Sequence, residues 1–116
     1  MPLQPAAYFI QIISAKSPLA MLKPGCPFCI ASKSLIQALA DTGIITNFLI
    51  VTLGTDFDNE TLLEVSSHFG WQPEGYQNYP SKPQVFIDGE YIGGNSEFYQ
   101  SKWNVGAGMP KLQNPM

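Results

Sequence analysis

The side chains able to do covalent chemistry are few and lie close together. The chain has two cysteines, Cys26 and Cys29, and one histidine, His68. The cysteines are separated by Pro27-Phe28 and preceded by Lys23-Pro24-Gly25. A proline directly after Cys26 suits a first helical position, which makes Cys26 the N-cap. Unpaired N–H groups at a helix start favour negative charge, so they stabilise a thiolate over a thiol, and Lys23 nearby adds to this. A thiolate is the nucleophile of disulfide exchange. Cys29, one turn on and more covered, would then resolve a mixed disulfide. Half of a zinc site is the other chemistry open to such a pair. Structural zinc takes about four ligands, so two cysteines and His68 would have to recruit a carboxylate or an unusual geometry. Two inert cysteines would not account for a proline between them at a helix start. His68 reads as a surface or half-buried structural histidine.

The flanking segments form the frame for this pair. Leu19 to Leu22 is a short apolar run, read as a first strand over about 18–23. Ile30, Leu35, Ile36 and Leu39 recur at helical spacing up to about Asp41, where Thr42-Gly43 closes the helix. Asn47 to Leu53 reads as a second strand, apolar enough to be buried on both faces. Strand, helix, strand in this order is a βαβ unit with parallel strands. A Cys-x-x-Cys beside such a unit points to redox exchange. Before it, residues 5–16 carry Phe9, Ile12 and Ile13 on one helical face, although their β-branched content also allows a strand. After it, Asp56, Asp58 or Asn59 caps a helix with Leu62, Leu63, Val65, Ser66 and Phe69 on one face, ended by Gly70. Residues 71–82 form a loop rich in Pro, Gly and aromatics, either functional or packed over the sheet edge. Pro83 to Ile87 and Glu90 to Ile92 make a hairpin around Asp88-Gly89. Gly93-Gly94 breaks its second strand. Asn95 or Ser96 caps a last helix, through about Trp103, in which Phe98, Tyr99 and Trp103 pack inward. The Gly/Pro-rich segment 104–116 forms an irregular tail.

At 116 residues the chain is expected to be one domain, 1–116, with its core over about 18–103. A net charge of -3 lacks the basic balance of a nucleic-acid binder. Two cysteines are too few for a disulfide-stapled secreted scaffold. No apolar run reaches the roughly 18–20 residues of a membrane span, and the apolar stretch 6–13 has neither a basic lead-in nor a good cleavage site. A reducing cytoplasm is the expected compartment.

A second block makes the reading specific. Pro83-Gln84-Val85-Phe86-Ile87-Asp88-Gly89-Glu90-Tyr91-Ile92-Gly93-Gly94 resembles the C-terminal signature of glutaredoxins, and Cys26-Pro27-Phe28-Cys29 resembles their C-P-Y-C. The resemblance implies an α/β thioredoxin fold: a four-stranded mixed sheet with helices on both faces, here with an extra N-terminal helix and an irregular tail. It implies a cis bond before Pro83, facing Cys26, and glutathione as reducing co-substrate with no tightly bound cofactor. The backbone of Lys82 would pair with the glutathione cysteinyl unit in short β-augmentation. Lys23 would meet its glycine carboxylate, and Gly94-Asn95-Ser96 its γ-glutamyl end. Phe28 would form the site rim in place of the family's tyrosine. Lys82 stands where the family has a small β-branched residue, and Asn95-Ser96-Glu97 departs from its usual Cys or Tyr followed by Ser or Asp.

The implied activity is that of a dithiol glutaredoxin, a monomer reducing protein disulfides and glutathione mixed disulfides through Cys26 and Cys29. Its clients would be disulfide-bonded or glutathionylated proteins, ribonucleotide reductase among the family's expected partners, with no nucleic acid and no membrane involved. Two rivals are a thioredoxin-like reductase fed by a protein reductase, and a module ligating an iron–sulfur cluster through Cys26 and glutathione. The family associates a proline after the first cysteine with members that bind no cluster.

Overall fold

The computed structural model describes residues 3–71, 75–76, 79–80 and 82–104. In chain order the elements are α1 (Ala6–Ser14), β1 (Leu19–Leu22), α2 (Pro27–Asp41), β2 (Leu49–Thr52), α3 (Asn59–Phe69), β3 (Gly75–Tyr76) and β4 (Tyr79–Pro80). They continue with β5 (Gln84–Ile87), β6 (Glu90–Gly93), α4 (Asn95–Gln100) and a 3-10 turn, Lys102–Asn104. The main sheet has the order β2-β1-β5-β6. β1 and β2 are parallel, while β5 is antiparallel to both β1 and β6. A separate two-stranded ribbon pairs β3 with β4, within a stretch that the sequence suggested was irregular. The rest of that loop and the tail lie outside the described residues.

Alternation along the central strands sorts the helices onto two faces. Leu19 and Met21 of β1 and Phe86 of β5 join Phe9, Ile13, Leu62 and Val65, so α1 and α3 cover one face. Ala20, Leu22, Val85 and Ile87 join Leu35, Leu39 and Phe98, so α2 and α4 cover the other. Successive strand residues point to opposite faces, and a strand covered on both must be apolar throughout. Leu-Ala-Met-Leu in β1 meets that condition and is buried at every position.

The second strand differs from its expected burial. It sits at the sheet edge, and of its four residues only Val51 is buried. Among the described residues the sheet order places β1 beside β2 on one side and no strand on the other. An apolar run therefore marks contact with a helix layer, not a central place in the sheet.

The N-terminal segment is a helix and an integral part of the core. Phe9 and Ile13, four residues apart, face the sheet, and the Phe9 ring meets Phe57 edge-on at 6.1 Å. Both phenylalanines are fully buried. Replacing Phe9 by alanine is expected to cost about 3–5 kcal/mol, the usual figure for removing a large core side chain. Urea unfolding of Phe9→Ala checks this, and a loss under about 1 kcal/mol would mean that α1 is dispensable.

Helix ends follow sequence chemistry. Asp58 caps α3 by accepting the Thr61 N–H at 2.8 Å, and this bond holds its carboxyl below the usual carboxylate range. Gly70 closes the same helix in the left-handed conformation. His68, on the last turn, is exposed. Trp71 stacks on Phe69 at 4.5 Å and packs against Phe86 and Tyr91, so this first aromatic of the 71–82 loop serves packing. The last helix departs from expectation. Its N-cap is Gly94, with Asn95 already helical, and it ends at Gln100 instead of continuing to Trp103. Phe98 is buried in the core, with Tyr99 and Trp103 packed against it.

Candidate active site

Cys26 caps α2 with extended backbone (φ -92°, ψ 118°), and Pro27 follows at the start of the helix. Its Sγ accepts the backbone N–H of Cys29 at 3.3 Å, and its own S–H donates to the carbonyl of Lys82 at 3.7 Å. A thiolate at this position keeps the first bond, because an N–H donor favours the charged acceptor. Cys29 is the more covered of the two, 2% exposed against 5% for Cys26. Its Sγ accepts the backbone N–H of Lys23 at 3.5 Å. Both residues are free thiols. The Cys29 thiol is pushed up to about 12, first by burial and then by its hydrogen bond with Cys26, with the Lys23 N–H opposing. Two sulfurs in one turn thus have distinct settings. One caps a helix and the other is sealed beneath it.

Across from α2 the bond between Lys82 and Pro83 is cis. Lys82 is only 8% exposed. Its ammonium donates to Asn59 Oδ1 on the first residue of α3. Burial is the main cause that lowers the Lys82 pKa, followed by the charge of Lys23, while Cys29 and Cys26 act in the opposite direction. Lys82 was expected to serve through its backbone. Its carbonyl does face Cys26, and its side chain is tied to α3.

A cavity of about 180 Å³ opens beside this pair, lined by Phe28, Lys82, Pro83, Gly94, Asn95, Ser96 and Glu97. Six of the residues singled out from the sequence therefore come together on one concavity. Lys23 does not line it; its backbone N–H goes to Cys29 Sγ, and its charge acts on Cys29 and Lys82. Phe28 is 63% exposed and forms an apolar lip. The volume is below the range of about 300–1,000 Å³ common for small-molecule sites, so it suits one end of a peptide-like ligand.

The turn into α4 holds a carboxylate that changes its chemistry. Glu97 Oε1 accepts the Gly94 N–H at 2.8 Å, so this amide, expected to meet a ligand carboxylate, already has a partner. Gly93 makes the close approach possible. Its φ is +122°, and an added Cβ would lie 2.8 Å from both Cβ and Cγ of Glu97. Gly93→Ala is expected to cost about 1–3 kcal/mol through backbone strain and displacement of Glu97. Chemical denaturation measures it, and an unchanged midpoint would show that the turn yields without cost.

Two contributors were not read from the sequence. Ser32 is fully buried on α2 and donates to Asn95 Oδ1 at 2.8 Å. A signal for it existed: residues 29, 32, 35 and 36 share a helical stripe, and a serine inside an apolar stripe needs a polar partner. Asn59 was read only as a possible cap. Its bond to Lys82 joins residues 23 positions apart, and no local pattern encodes that.

No protein-family model and no curated protein sequence matches the chain. Solved structures do. A wheat glutaredoxin is 22% identical with a TM-score of 0.59, covering 88% of each chain. The holo form of glutaredoxin C1 from Populus tremula x tremuloides is 20% identical with a TM-score of 0.54, over 94% of this chain and 95% of that one. Oxidized glutaredoxin 2 from Chlamydomonas reinhardtii is 19% identical, also at 0.54, over 88% and 80%. With its mixed β2-β1-β5-β6 sheet and a cysteine pair opening α2, the chain has the thioredoxin fold, as these glutaredoxin structures do.

Proposed function

We propose that the protein is a dithiol glutaredoxin, a glutathione-dependent thiol–disulfide oxidoreductase. One observation carries the reading: Cys26 Sγ, held by the Cys29 N–H, faces the carbonyl of Lys82, and Lys82 in turn lines a cavity with Phe28, Pro83 and the α4 turn. A nucleophile at a helix start, a backbone edge beside it and a head-group-sized recess suit a short peptide joined through sulfur.

In the first step the Cys26 thiolate attacks the glutathione sulfur of a mixed disulfide. The client leaves as a thiolate and takes a proton from water. Cys26 is then joined to glutathione, and its S–H bond to the Lys82 carbonyl has ended. That carbonyl, together with the Lys82 N–H, is the edge proposed to pair with the cysteinyl unit of glutathione. A second glutathione thiolate attacks the bound glutathione sulfur, which releases glutathione disulfide and restores Cys26. With a protein disulfide as substrate, Cys29 attacks the Cys26 sulfur instead. The client leaves reduced, and two glutathiones afterwards reduce the Cys26–Cys29 disulfide. Exchange rates follow the thiolate fraction of the attacker and the pKa of the leaving group.

The glycine carboxylate is assigned to Lys23, outside the cavity, and the γ-glutamyl end to Asn95 and Ser96. Because Glu97 takes the Gly94 N–H, recognition there falls on side chains more than on helix amides. The protein is read as a single domain acting as a monomer, on glutathionylated or disulfide-bonded clients of which ribonucleotide reductase is one family example. Among the described residues no helix is long and apolar enough to cross a membrane. The free thiols suit a reducing compartment, and the cytoplasm is proposed.

The test is reduction of a glutathionylated peptide with glutathione and glutathione reductase supplying electrons. Turnover supports the reading. Activity only with a protein reductase as electron source would replace it with the thioredoxin-like alternative. Among the described residues no three of His, Cys, Asp and Glu cluster to hold a metal ion, so an iron–sulfur cluster would draw ligands from glutathione and a second copy. A coloured dimer after anaerobic reconstitution, inactive in the peptide assay, would favour that role.

A further inference from the structure

We propose that Ser32 is a positioning residue for substrate recognition: it orients the Asn95 carboxamide so that its Nδ2 donor faces the cavity and receives the carboxylate of the ligand's head group. The proposal rests on the glutathione reading above and adds to it a residue that no ligand touches.

Ser32 has no exposed surface. A serine inside a helix commonly bonds a carbonyl one turn back in its own helix, as Ser34 does with Ile30 at 3.3 Å. Ser32 Oγ instead donates across to Asn95 Oδ1 at 2.8 Å, between residues 63 positions apart. A carboxamide is planar, with its acceptor and its donors on opposite branches. With Oδ1 held by the buried hydroxyl, the donor branch is turned away from α2. Asn95 lines the cavity together with Phe28, Lys82, Pro83, Gly94, Ser96 and Glu97; one oxygen of the Glu97 carboxylate is occupied by the Gly94 N–H, and the Asn95 carboxamide sets a donor against the acceptor that Glu97 presents. Released from Ser32, the group could rotate and present its oxygen, which repels a carboxylate.

The arrangement is braced. Tyr99, one turn beyond Asn95, donates its hydroxyl to the carbonyl of Ala31 at 3.0 Å. Two polar bonds to neighbouring residues 31 and 32 therefore set the position of α4 on α2. Loss of the Ser32 bond alone leaves that packing in place, so its effect falls on the orientation of one side chain. Ala31, Ser32, Asn95 and Tyr99 thus connect the helix that carries the cysteines to the helix that borders the recess.

The experiment is a double-mutant cycle on the full chain: wild type, Ser32→Ala, Asn95→Ala and the double variant. Each is assayed with a glutathionylated peptide and with the same peptide disulfide-linked to cysteamine, which has no carboxylate. Alanine is favourable within a helix, and thermal melts verify folding. Ser32→Ala is expected to raise KM for the glutathionylated peptide about three- to tenfold, the scale of one hydrogen bond, with kcat changed less than about twofold and the cysteamine substrate unaffected. In the Asn95→Ala background it should add nothing. Equal effects on both substrates, or an undiminished effect without Asn95, would overturn the proposal. Should Ser32→Ala fail to fold, Ser32→Cys carries the test, because it keeps the volume with a weaker donor and should raise KM for the glutathionylated peptide alone; an unchanged KM would overturn the role. A wild type that does not distinguish the two substrates would instead remove the glutathione reading itself.

Discussion

Cys26→Ser is expected to lower turnover of a glutathionylated peptide by at least about a thousandfold. A serine hydroxyl at the same N-cap still accepts the Cys29 N–H and keeps the helix start intact, so the fold should persist. What is lost is the sulfur nucleophile, since an alcohol is hardly ionised at neutral pH and forms no disulfide. Coupled consumption of NADPH through glutathione reductase measures the rate, and circular dichroism checks the fold. Residual activity above about a tenth of wild type would show that the exchange begins at another sulfur, and Cys29 would be the one left to carry it.

Cys29→Ser separates the two half-functions and should do so in a pH-dependent way. Turnover of the glutathionylated peptide should persist, because a second glutathione releases Cys26. Reduction of a protein disulfide by both thiols should fall by at least about a hundredfold, as the internal attack has no sulfur. In the wild type that internal attack starts from a thiol pushed up to about 12, so its thiolate is scarce at neutral pH. Internal attack takes place with Cys26 in a mixed disulfide, where burial still raises the Cys29 thiol but the hydrogen bond and charge of Cys26 no longer do, so the resolving rate should rise with pH between about pH 6 and 9. Quenched-flow trapping of the mixed disulfide across that range measures it. A flat profile would mean that a base in the site removes the Cys29 proton before attack.

The same shift has a consequence for stability, with a definite sign. The Cys29 thiol has an ordinary value of 9.0 and is raised to about 12 in the fold. The folded state therefore holds its proton where the unfolded chain has begun to lose it. The contribution is fully present below about pH 9 and declines as pH rises towards about 12, by a few kcal/mol at most. Comparing wild type with Cys29→Ser isolates this slope from the lysines and tyrosines that titrate in the same window. Parallel pH–stability curves for the two proteins would contradict it.

What the sequence determined by itself was local and periodic. Cys26-Pro27 placed the cysteine at a helix start because proline lacks an N–H and fits only where none is needed. Asp88-Gly89 set the hairpin, since both residues take positive φ there. A short apolar run identified β1, helical spacing identified α2 and α3, and the two motifs together pointed to the sheet they would share. The tertiary structure decided whatever depended on distant neighbours. It put β2 at an edge with one buried residue, and turned Asn95 to Ser32 and Lys82 to Asn59. The reason is common to these cases. Hydrogen bonds to side chains far along the chain, and the side of a sheet on which a strand docks, leave no periodic trace in a sequence, because they are fixed by which polar atoms burial brings within reach of one another.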